Sequence, residues 1–124
     1  MQVPLRVGVV GVGHVGERHA KIYASTAGVR LVAVCDVDAA KARVVARTLR
    51  CQALTDYHDL LGGGDAVSLA VPTSLHGSMG LALLRQGIHL LIEKPIATTL
   101  RQADALIRTA QQRHLTLQVG HVER

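Results

Sequence analysis

The feature that most limits what this chain can fold into is a run of six residues, Gly11-Val12-Gly13-His14-Val15-Gly16. It follows a short apolar stretch, Leu5 to Val10, that reads as a β-strand. It opens a segment with helical spacing, from His14 to about Ala27, closed near Gly28. Glycines at these intervals have separate jobs. The first, Gly11, permits a tight turn; the second, Gly13, lets the backbone approach a pyrophosphate; the third, Gly16, lets the helix pack closely on its strand. Such a helix aims its free amides and positive dipole end at phosphate oxygens. An ordinary tight turn can carry the same three glycines. The strand before and the helix after are what give the motif its meaning.

The rest of the chain repeats that alternation. Arg30 to Cys35 reads as a second strand, and Asp38 as the N-cap of a helix with Ala42, Val45, Ala46 and Leu49 inward. Cys51 to Leu54 is a weak third strand, and Tyr57 to Leu61 a short helix before Gly62-Gly63-Gly64. That triple glycine is a turn and not a phosphate cradle, because no Lys-Ser or Lys-Thr follows it. Ala66 to Val71 is a fourth strand broken by Pro72, with Thr73 or Ser74 capping a helix that runs to about Gln86. Ile88 to Ile92 is a fifth strand. Thr99 and Gln102 form a capping box for a helix with Leu100, Ala103, Ile107 and Ala110 inward, and Leu115 to Val119 is a sixth strand.

Six strands alternating with helices predict an α/β protein: a doubly wound parallel sheet with helices on both faces, the Rossmann arrangement. With two tyrosines and no tryptophan or phenylalanine, the interior must be aliphatic, which suits strands covered on both sides. Residues 1–120 are expected to form this dinucleotide-binding domain. Residues 121–124 are expected to start a crossover to a C-terminal substrate domain that the chain does not contain.

The net charge of +5 raises the question of nucleic acid. The basic residues are scattered, however, and aromatic stacking platforms are nearly absent, so no nucleic-acid partner is expected. Cys35 and Cys51 cannot build a zinc cage or a disulfide framework by themselves, and no metal is expected. Neither a leader segment nor a run of transmembrane length is visible, so a cytoplasmic protein without a membrane partner is the expectation.

Chemistry concentrates at the strand ends. Asp36 closes the second strand, twenty positions after Gly16, where a carboxylate can accept both adenosine ribose hydroxyls. It would also repel a 2′-phosphate, which predicts NAD in preference to NADP. Lys41 and Arg43 lie near enough to soften that choice. Val71-Pro72-Thr73, Glu93-Lys94-Pro95 and Gly120-His121 follow the fourth, fifth and sixth strands, on the edge where open α/β sheets bind ligands. An ammonium at Lys94 can stabilise developing alkoxide charge; the same spacing fits a surface lysine paired with Glu93. His76 opens a helix, either beside a cofactor or as a capping or packing residue. His14 and His121 flank the cleft. His19, His58, His89 and His114 read as surface residues.

GVGHVG at 11–16, CD at 35–36, VPTSLH at 71–76 and IEKPIA at 92–97 together resemble the N-terminal domain of one family. It is the glucose–fructose oxidoreductase, inositol dehydrogenase and MocA (Gfo/Idh/MocA) family. The resemblance covers essentially the whole chain from Leu5. It implies an NAD(P)-dependent dehydrogenase moving hydride between a nicotinamide cofactor and a sugar, sugar-nucleotide or cyclitol hydroxyl. Lys94 then matches the catalytic lysine, Pro72 and Thr73 the nicotinamide ribose side, and Glu93 a cofactor neighbour. VGHVER at 119–124 resembles the branch that oxidises sugar nucleotides such as UDP-N-acetylglucosamine. Members carry a second domain that supplies a general base, so this chain alone is expected to bind cofactor without turnover. The full-length protein is expected to be a homo-oligomer. A complete, non-catalytic NAD-binding or redox-sensing module would share the cofactor features without needing Lys94.

Overall fold

A computed structural model describes residues 3–60 and 64–120. Its elements alternate: β1 (Leu5–Val10), α1 (His14–Ala24), β2 (Val29–Cys35), α2 (Ala39–Leu49), β3 (Gln52–Leu54), β4 (Ala66–Leu69), α3 (His76–Arg85), β5 (His89–Glu93), α4 (Leu100–Gln112) and β6 (Leu117–Gly120). All five strand pairings are parallel, in the order 3-2-1-4-5-6. The chain reverses its winding between β1 and β4, so a crevice opens there at the carboxyl ends of the strands.

Neighbouring strand residues feed opposite layers, as strand geometry requires. Val9 and Val34 join Ala20 of α1 and Val45 and Ala46 of α2 in one core. Val10, Ala33 and Cys35 join Leu83 and Leu84 of α3 and Leu106 and Ala110 of α4 in the other. The sheet is therefore buried on both faces, which explains its unbroken runs of valine and leucine.

Local physics shifts several predicted boundaries. α1 stops at Ala24 rather than Ala27, because the Ser25 and Thr26 hydroxyls donate to carbonyls at Lys21 and Ile22 and end the ladder. Asp38 caps α2 as expected, accepting from the Lys41 amide at 3.2 Å. Neither Thr73 nor Ser74 caps α3; residues Thr73–Leu75 form a 3₁₀ turn instead, and α3 starts at His76 without a side-chain cap. Thr99 caps α4 through the Gln102 amide, yet the Gln102 side chain accepts from Thr98 rather than returning to Thr99.

The inward face of α4 also differs. Leu106 and Ala110 are buried, whereas Leu100 is 84% exposed and Ile107 43% exposed. Apolar residues at 100, 103, 106, 107 and 110 allow two overlapping stripes. Packing selects the one holding Leu106, which seats against Gly80 of α3 so closely that a Cβ there would lie 2.8 Å from it. No helix among the described residues is long and apolar enough to cross a membrane.

Candidate functional site

The Gly-rich turn is shaped by its neighbours at two positions and by none at the third. Gly11 has φ +92°, a left-handed value, and a Cβ there would lie 2.2 Å from the Ala70 carbonyl oxygen. A Cβ on Gly16 would sit 1.6 Å from the Gly11 carbonyl oxygen, so close passage of α1 over β1 demands glycine. Gly13 meets nothing within 4 Å. The protein itself places no steric demand there, so the space beside Gly13 is room for a ligand. α1 begins after Gly13 with no side-chain cap, leaving its first amides unengaged by the protein's side chains. His14 and Val15 occupy that first turn. The His14 ring is exposed, with its Nε2 3.3 Å from Arg18.

Asp36 is held before any ligand arrives. Its Oδ2 accepts from the Val12 amide at 2.9 Å, and its Oδ1 from the Asp38 amide at 2.9 Å. Each oxygen keeps a lone pair for a further donor. The carboxylate lines a cleft of about 610 Å³ together with Gly11, Gly13, Lys41, Val71 and Pro72, a size ordinary for small-molecule sites. Leu75, Met79, Val37 and Tyr57 give it apolar walls. Of these wall residues only Leu75 falls within a quoted motif, VPTSLH at 71–76. Lys41 does line the cleft beside Asp36, whereas Arg43 is exposed and does not line it. Cys35 lies at the cleft floor; burial, then the charges of Asp56, Asp36 and Asp59, push its thiol up to about 11, so it stays protonated at neutral pH.

The other half of the site follows β4 and β5. Because the strands are parallel, Asp36 (β2), the Gly turn (β1), Pro72 (after β4) and Lys94 (after β5) occupy one sheet edge in that order. Three inter-strand steps separate the extremes, about 14 Å. Thr73, Glu93 and Lys94 do not line the Asp36 cleft but lie beyond its Pro72 end. Lys94 is exposed, and its amide bonds the Gly120 carbonyl at 3.0 Å. The Lys94–Pro95 peptide is cis.

His76 is 2% exposed, with both ring nitrogens on backbone carbonyls: Nε2 with Val71 at 3.0 Å, Nδ1 with Pro95 at 3.0 Å and Ile96 at 3.2 Å. It ties the loop after β4 to the loop after β5. Of the two readings its position allowed, the structure displays the packing role. Glu93 does not pair with Lys94. Its Oε1 meets His19 Nε2 at 2.8 Å, and both side chains are mostly buried. His19 is thus no surface residue, and nothing in its local sequence announced a partner so far along the chain. His89 is half-buried and accepts from the Thr116 amide at 3.0 Å. The His58 amide donates to Asp56 at 3.0 Å and its ring pairs with the same oxygen at 2.7 Å, which together hold that carboxylate below its usual range. His121 lies outside the described residues.

Comparison with known proteins meets this geometry at every level. The sequence matches the Gfo/Idh/MocA oxidoreductase family, NAD-binding Rossmann fold, over residues 5–121. It is 44% identical over 122 residues to UDP-N-acetylglucosamine 3-dehydrogenase of Acidithiobacillus ferrooxidans, covering 98% of this chain and 38% of that one. A solved structure of that enzyme superposes with a TM-score of 0.90 over 96% of this chain and 39% of its own. Scyllo-inositol dehydrogenase of Lactobacillus casei, solved with NAD(H) and scyllo-inositol bound, is 25% identical with a TM-score of 0.88, over 94% of this chain and 36% of its own. The chain therefore spans under two-fifths of each of these relatives. On the strength of the match across residues 5–121, the chain belongs to the Gfo/Idh/MocA oxidoreductase family and carries its NAD-binding Rossmann fold.

Proposed function

We propose that this domain binds NAD in preference to NADP and, within the whole protein, serves a dehydrogenase of a sugar, sugar-nucleotide or cyclitol hydroxyl. One observation carries the reading: a carboxylate, Asp36, oriented by two backbone amides, faces the same cleft as a glycine that only a ligand would crowd. The Asp36 oxygens accept the adenosine ribose hydroxyls, the α1 amides face the pyrophosphate, and the Pro72–Thr73 loop borders the nicotinamide ribose. NAD, when bound, supplies the hydride acceptor. Lys94 orients the substrate hydroxyl and stabilises the alkoxide as its proton leaves. Similarity to scyllo-inositol dehydrogenase supports a cyclitol or sugar substrate, and similarity to the UDP-N-acetylglucosamine enzyme favours a sugar nucleotide.

Residues 1–120 act here as the dinucleotide domain, with 121–124, His121 among them, leading towards a substrate domain that also mediates assembly into a homo-oligomer. A cytoplasmic setting accords with two unpaired cysteines. The test is an absorbance assay of this chain with NAD and either UDP-N-acetylglucosamine or scyllo-inositol, alongside calorimetric titration with NAD. Binding without NADH formation is the expected result. Turnover by the 124 residues alone would contradict the division of labour, and absence of NAD binding would contradict the reading as a whole.

A further inference from the structure

The mostly buried pairing of His19 on α1 with Glu93 at the end of β5 joins a motif residue to one that no motif singled out. We propose that His19 is a positioning residue: by gripping Glu93 it fixes the backbone corner from which Lys94 projects, and so couples the pyrophosphate helix to the nicotinamide end of the site. The inference rests on the cofactor placement argued above.

The Glu93 carboxylate points inward. Its Oε1 is 2.8 Å from His19 Nε2, and its Oε2 is buried without a partner among the described residues. On its other side lies Gly120, where a Cβ would come within 3.4 Å of Oε1. The next residue, Lys94, bonds the Gly120 carbonyl through its own amide. The corner is therefore held at two successive residues, once through a side chain and once through the backbone. α1 is anchored to the neighbouring strand by the Tyr23–Ser68 hydroxyl pair, so its pull on Glu93 is directional.

The pair is a poor device for stability alone. His19 Nδ1 is also buried without a partner among the described residues, so two desolvated polar atoms accompany one hydrogen bond. A pair of this kind is better explained by the geometry it enforces than by the energy it adds. Oε1 is taken up by His19 and Oε2 is buried, so Glu93 serves the site through its anchor rather than by touching the cofactor.

The experiment compares a probe of the whole dinucleotide, NADH, with ADP, which reaches only the adenosine end. Three substitutions are made: His19→Ala, His19→Asn, whose amide is too short to reach Glu93, and His19→Gln, which keeps a donor near the Nε2 position. Affinities come from calorimetry, and the nicotinamide environment from NADH fluorescence. His19→Ala and His19→Asn are expected to lose the fluorescence enhancement of bound NADH while changing its affinity by less than about twofold, with ADP affinity unchanged. His19→Gln is expected to restore the enhancement. Parallel losses of NADH and ADP affinity, an undiminished enhancement in the Ala and Asn variants, or a Gln variant as dark as Asn would overturn the proposal. Failure of the unsubstituted chain to bind NADH would instead overturn the cofactor reading beneath it.

Discussion

The two ends of the binding edge are built differently. At the proposed adenosine end, Asp36 has two backbone amides on its carboxylate, and walls from the end of β2 and from the segments following β3 and β4 line its cleft. At the proposed nicotinamide end, Lys94 is exposed, and its ammonium has no ion-pair partner among the described residues. Rigidity there lies behind the surface, in the His76 clamp on three carbonyls and in the His19–Glu93 pair. On the proposed reading, the contrast means that this domain preorganises affinity in side chains and chemistry in backbone. The adenosine end is shaped to hold; the nicotinamide end is shaped to present.

The sharpest way to break that comparison is at the turn between the ends. Gly16→Ala drives a Cβ into the Gly11 carbonyl and should cost more than the ~1–3 kcal/mol usual for overpacking, collapsing the thermal transition. Gly13→Ala, in open space, should leave the unfolding midpoint unchanged while weakening NAD in calorimetry. Equal midpoints for the two variants would remove the distinction between a glycine required by the fold and one required by the ligand.

A smaller effect is expected at Asp36. Its replacement by Ala should weaken NAD by about 1–3 kcal/mol, the scale of hydrogen bonds to a charged group. The loss belongs to the adenosine end, so ADP should weaken in parallel. Smallest of all, Lys94→Ala should change NAD affinity by less than ~0.5 kcal/mol, as for other exposed side chains away from special contacts. A Lys94 effect on affinity matching that of Asp36 would contradict the assignment of holding and presenting to separate ends.

Much of the adenosine end was readable in the sequence because its determinants are local. The letters of the Gly turn and the Asp38 cap each fall within a few places of one another, Asp36 is marked by its fixed spacing of twenty from Gly16, and β1 falls on the predicted residues. The nicotinamide end depends on contacts between distant segments. His19 carries no local sign of Glu93, and His76 presents the same letters whether it meets a cofactor or three carbonyls. The α4 face failed for a related reason: its period permits two stripes, and only the seat at Gly80 decides between Leu106 and Ile107. The expected caps at Thr73 and Ser74 gave way because that stretch winds as a 3₁₀ turn before α3 begins.

Calorimetric titration of the unsubstituted chain with NAD and with NADP tests the central claim most directly. A carboxylate fixed at the ribose predicts NAD binding tighter by about tenfold or more, worth ~1.4 kcal/mol, with Lys41 limiting the gap. Equal affinities, or NADP binding tighter, would mean that Asp36 does not hold the adenosine ribose.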